Sequence, residues 1–297
     1  MWKEQLITLY CTVCRYYNSG ISWEVQRLSN NFRPQFTDEE VITVYLWGIA
    51  QRRSEIKAIY TYIKSHLLDW FPKLPSYQAF DRRLTELTPA FSAIAQRLME
   101  EKPPEAIDMN MLLMDSMPIL LAKASRSGTA KVARELCTKT YNASRRQWYY
   151  GVKLHMVAHK RHHTLPYPKL LFVTEASCHD LPVARQMLRD QDIVCADFFL
   201  LGDKAYSEER WKERLAQQGI HLLTPVKLQP GDPPRLPGGD AFDTSISRAR
   251  QPIESFFNWL HEKTGIQAAS KVRSFKGLLL HIFGRLAAAL FLLAFHF

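Results

Sequence analysis

Two short apolar runs, Met111-Leu112-Leu113-Met114 and Phe198-Phe199-Leu200-Leu201, both lead to an aspartate. Asp115 follows the first directly, and Asp203 follows the second after Gly202. Runs of this length bounded by Pro118 and Gly202 read as buried strands, although periodicity alone does not separate them from a short helix. Around them, residues 149–157, 170–174 and 221–224 are strand-like. Residues 181–188 and 207–218 are helical, the latter stopping at Gly219, and Pro252 opens a further helix in the first-turn position that proline tolerates. Strands interleaved with helices predict an α/β fold: a mixed sheet covered by helices. In such sheets ligands gather at the carboxyl ends of the strands, where both aspartates are expected.

The first hundred residues have a different texture. Thr37-Asp38-Glu39-Glu40 fits a capping box, with Thr37 as N-cap and Glu40 reaching back. Val41, Val44, Tyr45 and residues 47–49 then supply an apolar face. Ile56, Ile59, Tyr60 and Ile63 recur at helical spacing, Phe71-Pro72-Lys73-Leu74-Pro75 breaks the pattern, and Ser76 caps another helix bearing Arg82 and Arg83. Two helices, a break and an arginine-bearing helix fit a helix-turn-helix-like DNA reader, with Arg82 and Arg83 on DNA. The break is longer than the usual turn, and a plain helical bundle fits equally. Pro103-Pro104 marks the expected boundary between an all-α N-terminal domain, 1–104, and an α/β domain with C-terminal helices, 105–297.

Charge narrows the partner. Across 297 residues there are 39 lysines and arginines against 29 acids, a formal net charge of +10. Such an excess favours a polyanion through phosphate contacts and counter-ion release. It is also clustered: Lys123, Arg126, Lys131, Arg134, Lys139, Arg145 and Arg146 face only Glu135, and Trp148, Tyr149 and Tyr150 follow. Basic residues beside aromatics suit phosphate contact with base stacking; a solvated loop beside core aromatics is the bland alternative. Lys153, Lys204 and Arg250 flank the acids, and Lys271, Arg273 and Lys276 form a later basic group. His159, His162 and His163 sit among Lys160 and Arg161 in an expected strand-to-strand turn, and His179-Asp180 precedes a helix.

Five cysteines at irregular spacing do not form a disulfide framework, which suits a reducing compartment. Cys11 and Cys14 read as helix packing residues, since no second C-x-x-C pair completes a zinc site. The start lacks the pattern of a signal peptide. The apolar C-terminus is interrupted by His281 and Arg285, which predicts a buried terminal helix rather than a membrane span. There is no Walker A loop and no serine nucleophile elbow.

Glu254 is the third candidate acid. Ile253, Phe256, Phe257 and Leu260 form a core stripe with Glu254 at its edge, and Arg250 and Asn258 lie four residues to either side. Three carboxylates at strand and helix ends suit divalent metal and phosphodiester chemistry. Taken singly, the same acids read as a turn cap, a helix cap and a surface residue.

Met114-Asp115-Ser116, Leu201-Gly202-Asp203-Lys204-Ala205-Tyr206 and Arg250-Gln251-Pro252-Ile253-Glu254-Ser255-Phe256-Phe257 resemble the three acidic motifs of DDE transposases from bacterial insertion sequences. Tyr150-Gly151-Val152-Lys153-Leu154-His155 resembles their second strand. Phe36-Thr37-Asp38-Glu39-Glu40 and Leu74-Pro75-Ser76-Tyr77 resemble their helical N-terminal part, nearest to the insertion-sequence family numbered nine-eighty-two. The intervals fit: 88 residues from Asp115 to Asp203 and 51 from Asp203 to Glu254.

The resemblance implies a ribonuclease-H-like catalytic domain in which Asp115, Asp203 and Glu254 are the catalytic and metal-binding residues for two Mg²⁺ or Mn²⁺ ions. It implies an enzyme that binds terminal inverted repeats, cleaves at the ends of its element and joins the 3′-hydroxyls to target DNA. The partners are then double-stranded DNA and a second copy of the chain or more, with no membrane, in the bacterial cytoplasm at the nucleoid. Arg82, Arg83, Lys123, Arg126, Arg145, Arg146, Lys153, Lys204, Arg250, Lys263, Lys271 and Arg273 are the expected DNA contacts. Related enzymes carry a tyrosine and a basic residue where Ser247 and His261 stand, which leaves the roles of His261 and Lys263 open. A catalytically silent DNA-binding derivative and another nuclease of the same fold are the alternatives.

Overall fold

Thr37 starts its helix as its sequence context requires. Its hydroxyl accepts from the Glu40 backbone N–H at 3.3 Å, while the Glu40 carboxylate accepts from the Thr37 N–H at 2.7 Å. The fold is that of a computed structural model, which describes residues 2–27, 34–101, 105–143, 145–189, 197–226 and 240–295. The Pro103-Pro104 break, Cys195 and the 229–239 part of the proline- and glycine-rich loop lie outside those residues. Contacts divide the chain into two compact units: Met1–Pro103 with Lys131–Glu135 and Leu260–Phe297, and Pro104–Ala130 with Leu136–Trp259.

The first unit is helical. It contains α1 (Trp2–Tyr16), α2 (Asp38–Ala50), α3 (Ile56–His66), α4 (Tyr77–Glu86) and α5 (Thr88–Glu101). Ser76 caps α4 by accepting from Ala79 N–H at 3.4 Å. The second unit holds β1 (Ile107–Lys123), β2 (Thr138–Asn142), β3 (Gln147–Arg161), β4 (Tyr167–Glu175), α6 (Asp180–Arg189), β5 (Phe198–Leu201), α7 (Glu209–Ala216) and β6 (Ile220–Leu223). A long helix, α8 (Asp240–Thr264), follows, and α9 (Phe275–Phe295) ends the chain, packing with α5 and α2.

One helix among the described residues, α9, is long and apolar enough to cross a membrane, yet 72% of its most apolar window is buried. Its polar residues are provided for. His281 Nε2 lies 2.8 Å from the Ile266 carbonyl, and Arg285 donates to the Thr264 and Ser54 carbonyls. Burial pushes the His281 pKa down to about 3, with Arg285 adding to the effect, so the ring is neutral.

The sheet runs β2-β3-β1-β5-β6, with β4 on β3. β1 pairs antiparallel with β3 and parallel with β5, and β5 pairs parallel with β6. Leu112, Met114, Val157, Leu200 and Leu222 form one core with Val183 and Met187 of α6 and Trp211 and Leu215 of α7. This is the mixed sheet flanked by helices, with an N-terminal helical region, that the resemblance implied.

Three sequence expectations change. β1 does not end at Asp115 but runs on to Lys123, through Pro118, which pairs with Lys153 of β3. The last pair of β1 with β5 is Leu113 with Leu201, beyond which no strand among the described residues pairs with that edge of β1, and a proline without an N–H fits there. β2 arises in what read only as a basic segment. Helix α8 begins at Asp240 rather than Pro252, which sits inside it and removes one internal hydrogen bond.

Asp38 organises the first unit. Arg83 donates to both its oxygens, at 2.8 and 2.5 Å, Arg27 donates at 2.5 Å and Tyr17 at 2.7 Å. Arg83, expected at a DNA surface, is thus buried, also bonding the Val25 carbonyl and Glu86; Arg82 beside it is exposed. Burial raises the Asp38 carboxyl, but the hydrogen bonds from Arg83, Arg27 and Tyr17 outweigh it and hold it below its ordinary value. Asp38→Ala, which strands buried guanidinium charge, is expected to lower unfolding free energy by about 3–5 kcal/mol, against roughly 0.5 or less for Arg82→Ala. Because the folded pKa is the lower one, the contribution is complete above the unfolded value of about 3.9 and fades as pH falls through the folded value. Urea midpoints measured across that acid range should therefore converge for wild type and Asp38→Ala.

Candidate active site

The pairing of β1 with β5 sets the place of two acids. Met111, Leu112 and Leu113 stand opposite Phe199, Leu200 and Leu201. Asp115 stands two residues past the last β1–β5 pair on β1, and Asp203 two residues past the end of β5, so both acids follow the same point of the register. Asp203 keeps an extended backbone and caps the next turn, its side chain accepting from Ala205 N–H at 2.8 Å. Asp115 accepts from its neighbour's N–H, Ser116, at 2.8 Å.

The third acid arrives on α8. Because the helix continues through Pro252, Arg250 and Glu254 share a stripe one turn apart. The Arg250 guanidinium spans two acids, donating to Asp115 at 2.8 Å and to Glu254 at 2.5 Å. Arg250 and Asp115 are largely buried, whereas the Glu254 side chain is half exposed. Glu254 thus meets Asp115 through Arg250 rather than directly. Among the described residues no three histidine, cysteine or acidic side chains already converge as a metal cage.

The electrostatics favour a cation. Burial pushes the Asp115 carboxyl up to about 7; Arg250 and the Ser116 N–H pull it down, and Asp203 and Glu254 push it up again. Asp203 is raised as well, by burial first, with Asp180 adding and Arg250 opposing. Tyr206 is buried within electrostatic reach of these acids, and its hydroxyl has no hydrogen-bond partner among the described residues. Carboxylate oxygens that resist ionising together, with one guanidinium among them, form a donor set suited to a hard divalent ion.

Two neighbours escaped the sequence reading. Asp180, which read only as the start of α6, accepts from Ser116 Oγ at 3.0 Å and from Lys153 Nζ at 3.1 Å. His155 is buried beside it, with Nδ1 3.7 Å from Asp180 and Nε2 2.9 Å from Thr174 Oγ1. The signal lay in the Lys153-Leu154-His155 alternation, which sends both polar side chains to one face of β3. Gly151 in the same strand has a steric role: a Cβ there would lie 2.0 Å from the Ile119 carbonyl oxygen, where β1 is irregular.

The expected DNA contacts divide by exposure. In the second unit Lys123, Arg126, Arg145, Arg146 and Lys204 are exposed, while Lys153 and Arg250 are partly buried in ion pairs. Trp148 is 51% exposed and pairs across the β2–β3 hairpin with Tyr141, with Lys139 over its ring; Tyr149 and Tyr150 are buried. In the first unit Lys263 is partly exposed in the last turn of α8. Lys271 pairs with Glu55, and Arg273 is exposed, donating to the Ser270 carbonyl at 2.8 Å. Cys11 is exposed on α1 and Cys14 partly so. His162 and His163 lie in the turn after β3 and are exposed.

Arg250→Met removes the charge that holds the Asp115 carboxyl down. Its titration, followed by carboxyl carbon NMR with selective labelling, should move above the wild-type value of about 7. An unchanged titration would mean that the guanidinium does not act on Asp115.

The family described as "Transposase DDE domain" matches residues 108–292, from the second residue of β1 into α9 and more than half of the chain. No curated protein and no solved structure matches. Transposases of this kind act on DNA and generally use divalent metal ions, typically Mg²⁺. The match and the mixed sheet bearing the acids agree: the chain belongs to the family of DDE-domain transposases.

Proposed function

We propose that this chain binds the terminal inverted repeats of a bacterial insertion sequence, hydrolyses phosphodiester bonds at the element's ends and joins the freed 3′-hydroxyls to target DNA. Asp115, Asp203 and Glu254 are its catalytic, metal-ligating residues. The observation that carries the reading is that Asp115 and Asp203 each follow the last pair of the parallel β1–β5 register by two residues, with Arg250 tying Glu254 to Asp115. Two Mg²⁺ or Mn²⁺ ions, when bound, would polarise the scissile phosphate and activate the attacking water or 3′-hydroxyl.

The chain's own residues supply the rest. The Ser116 and Ala205 N–H groups fix the two aspartates so that their oxygens need little reorganisation. Lys204 and Arg250 place positive charge where phosphate would approach. Lys123, Arg126, Arg145 and Arg146 extend that charge along the strands beyond, and the exposed Trp148 and Tyr141 rings offer a stacking surface. In the first unit Arg82, within an N-terminal DNA-binding domain of residues 1–104, and Lys263, Lys271 and Arg273, near the C-terminal end, contribute phosphate contacts. Two ends must be held together, so the active form is a dimer or larger, acting at the bacterial nucleoid.

Asp203→Ala separates this reading from that of a silent DNA-binding derivative. Cleavage of an inverted-repeat duplex in Mg²⁺ should fall at least roughly 10³-fold, as for a member of a catalytic set. Affinity for the same duplex, measured in Ca²⁺, should change little. Wild-type protein that binds the duplex but never nicks it would favour the silent derivative.

A further inference from the structure

Asp180 lies on the edge of the candidate site without being one of its three acids. Its Oδ1 accepts from Ser116 on β1 and from Lys153 on β3, and faces His155, also on β3. Ser116 is the residue whose N–H fixes Asp115. One carboxylate therefore ties together the side chain next to Asp115 and the ammonium of Lys153.

The Lys153 ammonium is unusually constrained for a lysine. It donates to the Cys178 carbonyl at 2.7 Å and to Asp180 at 3.1 Å, and its side chain is 19% exposed. An ammonium has three donors, so two held by the protein leave one for a ligand. A free lysine loses rotamer entropy when it is fixed; here most of that ordering is complete before any phosphate arrives. The buried His155 is held neutral, since burial pushes its pKa down to about 4, so the charge that balances Asp180 is that of Lys153.

We propose that Asp180 is a positioning residue for strand cleavage: it holds the Lys153 ammonium with one donor directed at a non-bridging oxygen of the DNA phosphate, and through Ser116 it keeps Asp115 aligned with that phosphate. The proposal rests on the transposase reading, and it assigns Asp180 a role that acts through Lys153 and Ser116.

The test uses the full chain and an inverted-repeat duplex, with two readouts. In single-turnover cleavage, Asp180→Asn keeps an acceptor for Ser116 but loses the carboxylate charge that faces Lys153. It should slow cleavage roughly 10- to 100-fold, as loss of an outer-sphere partner does, with duplex affinity nearly unchanged. Lys153→Met should be slowed comparably, and the double variant should be no slower than Lys153→Met alone. Asp180→Glu should recover part of the rate.

The second readout does not depend on activity: mass-spectrometric acetylation of Lys153 in the absence of DNA. It should be slow in wild type, several-fold faster in Asp180→Asn, and slowed again in wild type by added duplex. Multiplying losses in the double variant, or Lys153 labelling unaffected by Asp180→Asn, would overturn the proposal while leaving the transposase reading intact. Wild-type protein that binds the duplex without cutting it would overturn that reading and this role with it.

Discussion

Three residue pairs between β1 and β5 determine where the chemistry can sit. They align two strands so that an aspartate follows the last pair by two residues on each chain segment, where no described strand pairs further with that edge of β1. Everything else at the site refers to that point of the register. The α8 turn delivers Arg250 and Glu254 to it, Tyr206 is buried within electrostatic reach of its acids and Asp180 borders it. Sliding β1 by one residue against β5 would turn Asp115 to the opposite face of the sheet and dissolve the arrangement, since side chains alternate with period two.

The surrounding charges explain why such an arrangement is worth building. Burial raises both carboxyls, with Asp203 and Glu254 adding to the effect at Asp115 and Asp180 adding to it at Asp203. A helix-borne guanidinium opposes that rise and keeps Glu254 within reach. The same logic recurs in the helical unit with the signs exchanged. There one buried acid, Asp38, satisfies Arg27 and Arg83 at once, and so fixes the start of α2 against α4. Neither group would persist half-made, because a buried charge without its partner costs several kcal/mol.

Much of this was legible in the sequence, for reasons particular residues make plain. The capping box at Thr37 and the cap at Ser76 are local, so their residues announce them. The short apolar runs before Asp115 and Asp203 read as strands because their length and the flanking Pro118 and Gly202 favour a strand over a buried helix. What stayed hidden depended on partners far away in the chain. Pro118 looked like a strand stop because the end of the β1–β5 pairing is a tertiary fact. Pro252 looked like a helix start because proline usually is one, yet α8 runs through it. Arg83 looked like a DNA contact because only the fold puts Asp38 beside it, 45 residues away in sequence. Asp180 read only as a residue before a helix because Ser116 and Lys153 meet it only across the sheet.

In the proposed mechanism Asp115, Asp203 and Glu254 together grip divalent ions against a DNA backbone. Anomalous diffraction from crystals of the chain bound to an inverted-repeat duplex and soaked in Mn²⁺ measures that directly. The mechanism predicts anomalous peaks within about 2.0–2.3 Å of carboxylate oxygens of Asp115 and Asp203, with Glu254 completing the set. Mn²⁺ held by other residues, or a DNA-bound chain whose Glu254 stays beyond reach of both aspartates, would contradict it.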